Sequence, residues 1–154
     1  MINYTINCQS NQWPARIKKI NLILENILKY KNELHFKKKI NYNCSLILIN
    51  DKLMKKINLK FKKKNITTDV LTFVSEINVK NKKKLKICDI YLSAEIVTKD
   101  ANENKVEFYN HLTHLIIHSF LHINGFVHKK INEFNKMKKI EIMVLKKIGI
   151  ANPY

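Results

Sequence analysis

One predicted helix, spanning residues 106–123, constrains the fold more than any other part of the chain. Apolar residues surround most of it, which is typical of a helix buried in the middle of a domain. At about 100° per residue, four of its side chains lie near one line along it: His111, His114, His118 and His122. Buried imidazole nitrogens need partners. We therefore expect the fold to pack around this helix and to bring partners to its histidines.

A glycine and a further histidine follow the helix. His118 and His122 are four residues apart, about one turn, so their rings can point at the same place, as two helical histidines do when they share a zinc ion. Gly125 accepts a left-handed conformation and can end the helix, so that the chain turns back and brings His128 to the pair. Three neutral imidazoles with one open position form a catalytic type of site, and zinc suits them best. The sequence therefore predicts one zinc ion bound by His118, His122 and His128.

The two remaining histidines of the helix support weaker predictions. His114 either orients one of the metal ligands or is a core residue with a satisfied ring, and the sequence leaves both open. His111 is interpreted as an ordinary polar position near the helix start.

The spacing HxxxHxxGxxH also occurs in metzincin proteases, in which a glutamate after the first histidine acts as the general base. Here Ser119 holds that position, and a serine cannot take a proton from water near neutral pH. Glu107 and Glu133 do not lie on the same helical turn. The sequence therefore argues against peptide hydrolysis by that mechanism.

The formal net charge is +17, from 29 basic and 12 acidic residues. A basic surface gains affinity for nucleic acid by releasing counterions from phosphates. Arg16 is the one arginine of the chain. Lysine, asparagine and isoleucine share A/T-rich codons, so gene composition accounts for part of the charge. The charge thus permits a nucleic-acid partner without requiring one.

Cysteine usage and hydropathy predict a cytoplasmic protein with no membrane partner. Cys8, Cys44 and Cys88 contain no CxxC pair, and their odd number argues against a disulfide framework. We expect buried free thiols. No run of about 18 apolar residues is present, and the first ten residues lack the pattern of a secretory signal.

Mixed strand and helix signals predict one α+β (or α/β) domain over residues 1–154, with a small mixed β-sheet, a central histidine-bearing helix and a zincin-like metal site. The predicted strands are 2–8, 44–50, a buried strand at 68–74, and 87–93, with a hairpin connection at 77–86. The predicted helices begin at Pro14, Asp51 and Ser93, the last two as caps, and then cover 106–123 and 131–149, where Gly149 ends the chain's last helix.

Several spaced motifs resemble those of the YbeY family of metal-dependent endoribonucleases, also called rRNA maturation factors. HSFLHINGFVH resembles the signature HGxLHLxGYDH, INLKFKKKNITTDVLTF resembles LNxxYRxKDxPTDVLSF, and CDIYLS resembles the strand GDIxIS. The last predicted helix matches the family's closing pattern at Met137, Glu141, Leu145 and Gly149. The resemblance extends over roughly residues 45–150.

The resemblance implies both an activity and its residues. His118, His122 and His128 match the family's zinc ligands, and Lys62 stands where the family has an arginine implicated in activity. The implied reaction is cleavage of single-stranded RNA, connected with maturation of small-subunit ribosomal RNA and ribosome quality control. Ribosomal RNA and the ribosome are the implied partners.

The matched TD pair, Thr68 and Asp69, stands ahead of the strand that lines the cleft in the family. Asp69 is a candidate general base if the fold brings it to the cleft, and otherwise it caps a turn. The chain departs from the family's motifs with Thr67 for proline, Cys88 and Ser119 for glycine, Phe126 for tyrosine and Val127 for aspartate. Lys62 keeps a positive charge but lacks the bidentate fork of arginine.

Two alternatives to a nuclease stay open at this point. Val127 removes a carboxylate beside the third predicted ligand, which keeps open a non-catalytic, metal-stabilised factor that binds ribosomal RNA. A peptidase with an unconventional base is the other alternative.

Overall fold

The computed structural model describes residues 1–79 and 83–154. Within these ranges the chain forms four β-strands, five α-helices and a 3₁₀ turn at Pro14–Arg16. The strands are β1 (Ile2–Cys8), β2 (Ile40–Ile49), β3 (Val70–Val79) and β4 (Lys83–Ser93). The helices are α1 (Ile17–Leu28), α2 (Asp51–Lys62), α3 (Ala94–Glu103), α4 (Phe108–Ile123) and α5 (Ile131–Ile148).

The four described strands form one mixed sheet in the order β1-β2-β4-β3, which confirms the prediction of an α+β fold with a small mixed sheet. β1 pairs with β2, and β2 with β4, in parallel, while β3 pairs with β4 antiparallel. The strands β3 and β4 therefore pair as in a hairpin, but residues 77–79 and 83–86, predicted as part of the connection, belong to the strands. The connecting residues of the hairpin, 80–82, lie outside the described residues.

The two faces of the sheet bury different helices, because successive side chains of a strand point to opposite sides. On β2, Tyr42 and Leu48 contribute to the main core, which α1, α4 and α5 cover. Ile47 and Ile49 point the other way and pack with Met54 of α2 in a smaller core. The histidine-bearing helix thus lies in the larger layer.

The α4 helix is buried in the middle of this layer, as its sequence predicts. It contacts α1, α3, α5, β3 and β4. Leu112, Ile116 and Phe120 are at most 1% exposed. The histidines occupy the remaining side of the helix, which faces a cleft beside β3. Apolar packing therefore fixes the rotation of α4 and the direction in which its histidines point.

Segment 68–74 does form a strand from Val70 onward, but the prediction that this strand is buried is wrong. β3 lies at the edge of the sheet, and its residues from Val74 onward are exposed. The segment is rich in β-branched and apolar residues, but such a composition fits a pleated, half-buried surface and does not distinguish a central strand from an edge strand. The edge position leaves one side of β3 open to the cleft.

Two of the predicted helix caps differ in detail. Asn50, not Asp51, caps α2, and its Oδ1 accepts a hydrogen bond of 2.9 Å from the backbone N–H of Leu53. Ser93 does occupy the N-cap position of α3, but its hydroxyl makes no capping bond and donates to Glu95 at 3.5 Å. Asn50 and Asp51 are both of a type that caps helices. The extended backbone of Asn50 places this residue, and not Asp51, at the N-cap position.

The three cysteines are free thiols, as predicted. Cys44 and Cys88 are buried and lie opposite each other on β2 and β4. A hydrogen bond between the two thiols raises the pKa of Cys44 and lowers that of Cys88. Cys8 is only half-buried, which differs from the expectation of burial.

A helix with the length and apolarity needed to cross a membrane does not occur in the described part of the chain.

Candidate metal centre

The end of α4 turns the chain back, as the glycine predicts. Ile123 is the last residue of α4, Asn124 is its C-cap, and Gly125 adopts a left-handed conformation with φ of +91°. The N–H of Gly125 donates to the carbonyl of His122, and the N–H of Phe126 donates to that of Leu121, both at 3.0 Å. These two bonds are the Schellman pattern of a helix end. The residues after Gly125 therefore return toward the last turn of α4.

Three imidazoles meet where the chain returns. The Nε2 atoms of His118 and His122 are 2.9 Å apart, and a ring nitrogen of His128 lies within 4.8 Å of both. Two imidazole nitrogens on one tetrahedral zinc ion, with Zn–N bonds of about 2.0–2.1 Å, lie about 3.3 Å apart. The structure thus brings the three predicted ligands together in a group that could hold a metal ion. We call these three residues the imidazole triad.

The other ring nitrogens of His118 and His122 are already engaged. Nδ1 of His118 lies 2.7 Å from Oε1 of Glu141, and Nδ1 of His122 lies 2.9 Å from the carbonyl oxygen of Phe126. Because both partners accept, each Nδ1 carries the proton and each Nε2 presents a lone pair. Such bonds fix the tautomer and orientation of a metal-binding histidine. The donor set of the triad therefore fits a zinc ion.

Burial favours the neutral form of His122. Desolvation, with a smaller contribution from the neighbouring His118, lowers the pKa of His122 to about 4. Metal binding requires a neutral imidazole. His122 therefore meets this requirement at neutral pH.

Glu141 of α5 is fully buried behind the triad. Besides His118, it accepts a hydrogen bond of 2.8 Å from Nε2 of His114 and one from the hydroxyl of Tyr154. Burial opposes ionisation of this carboxyl group, but the hydrogen bonds from His114, His118 and Tyr154 outweigh it and lower its pKa to about 2. A charged carboxylate therefore holds the His118 ring from behind.

Sequence reasoning missed the role of Glu141, although a signal was present. Glu141 lies on the apolar face of α5, four residues after Met137 and three and four before Val144 and Leu145, all of them buried. A single acid within a core stripe is unusual because charged side chains are almost never fully buried unless they are paired. That pattern predicts a buried partner for Glu141, but it does not identify one.

The triad lies in a cleft with a volume of about 740 Å³. One wall is the histidine face of α4, and the opposite wall is the open side of β3, including Val70 and Thr72. Lys62, at the C-terminal end of α2, and Tyr154 also line the cleft. Lys62 is exposed, and its Nζ lies 5.6 Å from the ring centre of Phe73. The cleft is therefore open to solvent and has a cationic side chain in its wall.

The structure also distinguishes between the open interpretations of other residues. His114 shares the carboxylate of Glu141 with His118, so it belongs to the support of the triad. Asp69 lies in the cleft, as a candidate base would require, and its Oδ1 accepts bonds from the hydroxyl of Thr68 and the N–H of Val70. Ser119 is fully buried and bonds to the carbonyl of Leu115 at 2.9 Å, away from the cleft.

The interpretation of His111 as an ordinary polar position is wrong. Its Nε2 is completely buried and has no hydrogen-bond partner among the described residues. The residue also lines the cleft. Sequence periodicity places His111 on the correct face of α4 but cannot show which other elements pack over it.

Comparison with known proteins agrees with the motifs. A family model described as Endoribonuclease YbeY matches residues 5–149. A protein named Endoribonuclease YbeY from Pelagibacter ubique is 35% identical over 148 residues, 95% of this chain and 95% of that protein. A protein of the same name from Buchnera aphidicola is 36% identical over 152 residues, 96% of this chain and 90% of its own length.

The fold agrees as well. The solution structure of a protein from Thermotoga maritima matches with a TM-score of 0.54 and 26% sequence identity, over 97% of this chain and 92% of that one. The family model and the relatives at 35% and 36% identity, each over nearly the whole chain, show that the chain belongs to the YbeY family.

Proposed function

We propose that this protein is an endoribonuclease that uses one zinc ion, held by His118, His122 and His128, to cut single-stranded RNA. The observation that carries the proposal is the convergence of the Nε2 atoms of His118 and His122, 2.9 Å apart, in the cleft. Both rings offer lone pairs to one point because their Nδ1 atoms are engaged elsewhere. The relatives named Endoribonuclease YbeY support RNA as the substrate class.

The chain's own contribution is to position the ligands and the substrate. When bound, zinc would polarise a phosphoryl oxygen and lower the pKa of a water molecule to about 7. Glu141 keeps the His118 ring from turning, and the carbonyl of Phe126 does the same for His122. An open cleft gives an extended RNA strand access to the triad. We assign this activity to one domain over residues 1–154.

Lys62 is the residue to which we assign charge stabilisation of the phosphate. It lies in the wall of the same cleft as the triad. Its ammonium group supplies a point charge, without the planar fork with which arginine fixes a phosphate. We therefore expect Lys62 to lower the energy of the transition state by neutralising phosphate oxygens rather than by orienting them.

For the cellular role we propose maturation of small-subunit ribosomal RNA and ribosome quality control, in the cytoplasm, with ribosomal RNA as the partner. The motif resemblance supports this role. The net charge of +17 supports a polyanionic partner. Binding that depends on phosphate contacts weakens steeply as salt is added, so the affinity for ribosomal RNA should fall with the logarithm of salt concentration.

The test of the proposal is to change His118 to Ala. The variant should lose bound zinc, measured by elemental analysis, together with cleavage of a single-stranded RNA, while a duplex of the same sequence stays uncut by the wild type. Chelation should stop the wild-type reaction and zinc should restore it. Cleavage that persists equally after both His118→Ala and chelation would refute the mechanism.

A non-catalytic RNA-binding factor is the second candidate. It is favoured by Val127, which is 42% exposed next to the third ligand and supplies no carboxylate there. Zinc-replete protein that binds ribosomal RNA with a steep salt dependence but never cuts it would support this candidate. A peptide-library digest run beside the RNA digest tests the remaining alternative, a peptidase.

A further inference from the structure

A second group of potential metal ligands lies apart from the imidazole triad. Asp69 precedes β3, Asp100 lies on α3 and His111 lies in the first turn of α4. One donor atom from each lies within 4.8 Å of the others, and all three residues are half-buried. Asp69 and His111 line the same cleft as the triad. We call these three residues the carboxylate–imidazole cluster.

The donor atoms of this cluster are poorly satisfied by the protein. Nε2 of His111 is completely buried without a hydrogen-bond partner in the ranges 1–79 and 83–154. Asp69 is held in place through Oδ1, which accepts from the hydroxyl of Thr68 at 3.0 Å and from the N–H of Val70 at 2.7 Å. None of the ion pairs in the described residues includes a member of the cluster. The carboxylate of Asp69 is therefore oriented, and neither carboxylate is paired with a cation among the described residues.

The charges of the cluster are also unbalanced. Burial raises the pKa of Asp100, and the nearby Asp69 raises it further. Burial lowers the pKa of His111. An acid whose ionisation is opposed by burial and by Asp69 thus stands beside an imidazole that favours its neutral form. A cation between them would neutralise both acids and accept the free lone pair of His111.

We propose that the carboxylate–imidazole cluster binds a second divalent cation, of the class that Mn²⁺ represents. Carboxylate oxygens suit hard cations such as Mg²⁺ and Mn²⁺, and an imidazole ligand favours a transition metal such as Mn²⁺ over Mg²⁺. Three protein ligands leave coordination positions open to water or to a phosphate oxygen. The site is distinct from the triad in its ligands.

The spacing of the two sites along α4 does not match that of a shared two-metal centre. His111 and His118 are seven residues apart on α4, which corresponds to about 10 Å along a helix. Metal ions that act on one phosphate lie about 3.5–4 Å apart. We therefore assign the second cation to a different phosphate of a strand that lies along the cleft. This assignment rests on the proposed function, but binding of the cation does not.

The test is a Mn²⁺ titration of protein that already carries one zinc ion per chain, with free Mn²⁺ measured by its electron paramagnetic resonance signal. Wild-type protein should bind one Mn²⁺ per chain. Asp100→Asn and His111→Ala should each weaken that binding by at least about tenfold. Glu25→Gln is the control, because Glu25 is an exposed acid of α1 and not a member of the cluster. This variant should bind Mn²⁺ as tightly as the wild type.

Two further measurements separate this site from the triad. His118→Ala should keep the Mn²⁺ site, and anomalous diffraction from Mn²⁺-soaked crystals should place the ion between Asp69, Asp100 and His111. The proposal is overturned if zinc-loaded protein binds no Mn²⁺, or if binding is lost in His118→Ala and retained in Asp100→Asn. Thermal unfolding without Mn²⁺ checks that each variant is folded. RNA cleavage is not a readout, so failure here leaves the nuclease proposal standing.

Discussion

Glu141 places a negative charge where solvent does not reach, and a protein tolerates such a charge only if its oxygens have donors. Three groups supply them: His114, His118 and Tyr154. The donors and the carboxylate stabilise each other. The donors keep the carboxylate ionised, and the carboxylate keeps Nδ1 of His118 protonated, so that Nε2 stays available to a metal. A change in this one charge should therefore be measurable at the metal.

Changing Glu141 to Gln should weaken zinc binding by about 10–100-fold. Gln has nearly the same shape and can still accept from one histidine, but it brings no charge to strengthen the bond to His118. Zinc affinity is measured by competition with a chromophoric chelator. Glu25→Gln, at an exposed position of α1, is the control and should bind zinc like the wild type. Equal zinc affinity in both variants would remove Glu141 from the support of the triad.

Changing Lys62 to Ala should lower kcat/KM for RNA by on the order of 100-fold, the usual loss when one group that stabilises transition-state charge is removed. Zinc content should stay at the wild-type value because Lys62 is not a ligand. Lys62→Arg should retain activity, and Lys56→Ala, an exposed lysine of the same helix, should leave kcat/KM unchanged. Wild-type kinetics in Lys62→Ala would show that this lysine takes no part.

The elements decide where these residues meet, and the end of α4 is the most important of them. Nζ of Lys86 on β4 donates to the carbonyl of Ile123 at 2.7 Å, which satisfies a free carbonyl and adds a positive charge at the helix C-terminus. The side chain of Asn124 bonds to the carbonyl of Leu34 at 2.9 Å. Gly125 then turns the chain. The position of His128 thus depends on a helix end that is held by contacts with β4 and with Leu34.

Changing Gly125 to Ala should move His128 without a steric clash. A Cβ atom would have nothing within 4 Å, so the penalty comes from φ of +91° alone and is about 1–2 kcal/mol. Gly149 is a matched control, since its φ is +89° and its Cβ would also be free. Both alanine variants should lower Tm by about 2–8 °C. Gly125→Ala should weaken zinc binding, whereas Gly149→Ala should not. An equal loss of zinc affinity in Gly149→Ala would contradict the role of the turn at Gly125.

At the scale of the whole molecule, the site lies between the helical layer that contains α4 and α5 and the edge of the β-sheet. The main core holds α4 and α5 together, which joins the triad to Glu141. The sheet places the open edge of β3 opposite the histidines. Trp13 is fully buried in the same core, where its Nε1 donates to the carbonyl of Ile49 at 2.9 Å and its ring contacts Phe108 at the start of α4. The fluorescence of Trp13 is therefore sensitive to the packing of the core that supports the site.

Zinc should stabilise the whole domain because it binds the folded chain and not the unfolded chain. At a free zinc concentration of 100 times Kd the gain is about 2.7 kcal/mol, which corresponds to a rise in Tm of roughly 5–11 °C. The fluorescence of Trp13, the single tryptophan of the chain, follows the transition. His118→Ala protein should show no zinc-dependent rise. A wild-type Tm that does not respond to zinc would mean that the folded protein does not bind the ion at the triad.

Prediction from sequence succeeded where the relevant residues are close along the chain. His118, His122, Gly125 and His128 lie within eleven residues, and helical periodicity together with one glycine is enough to place them around a common point. The site's other partners come from elsewhere. Glu141 reaches His118 from α5, 23 residues further along the chain, and no local rule predicts which helix packs there.

The amino-acid sequence by itself determined the buried helix, the turn at Gly125 and the three imidazoles, because each depends on backbone preferences and side-chain spacing over a few residues. Only the tertiary structure decided that β3 lies at the sheet edge, that Glu141 lies behind the triad and that Asp69, Asp100 and His111 converge. These contacts depend on which apolar faces pack together. Hydrophobic burial is non-directional, so local pattern predicts that a face is buried but not what it is buried against.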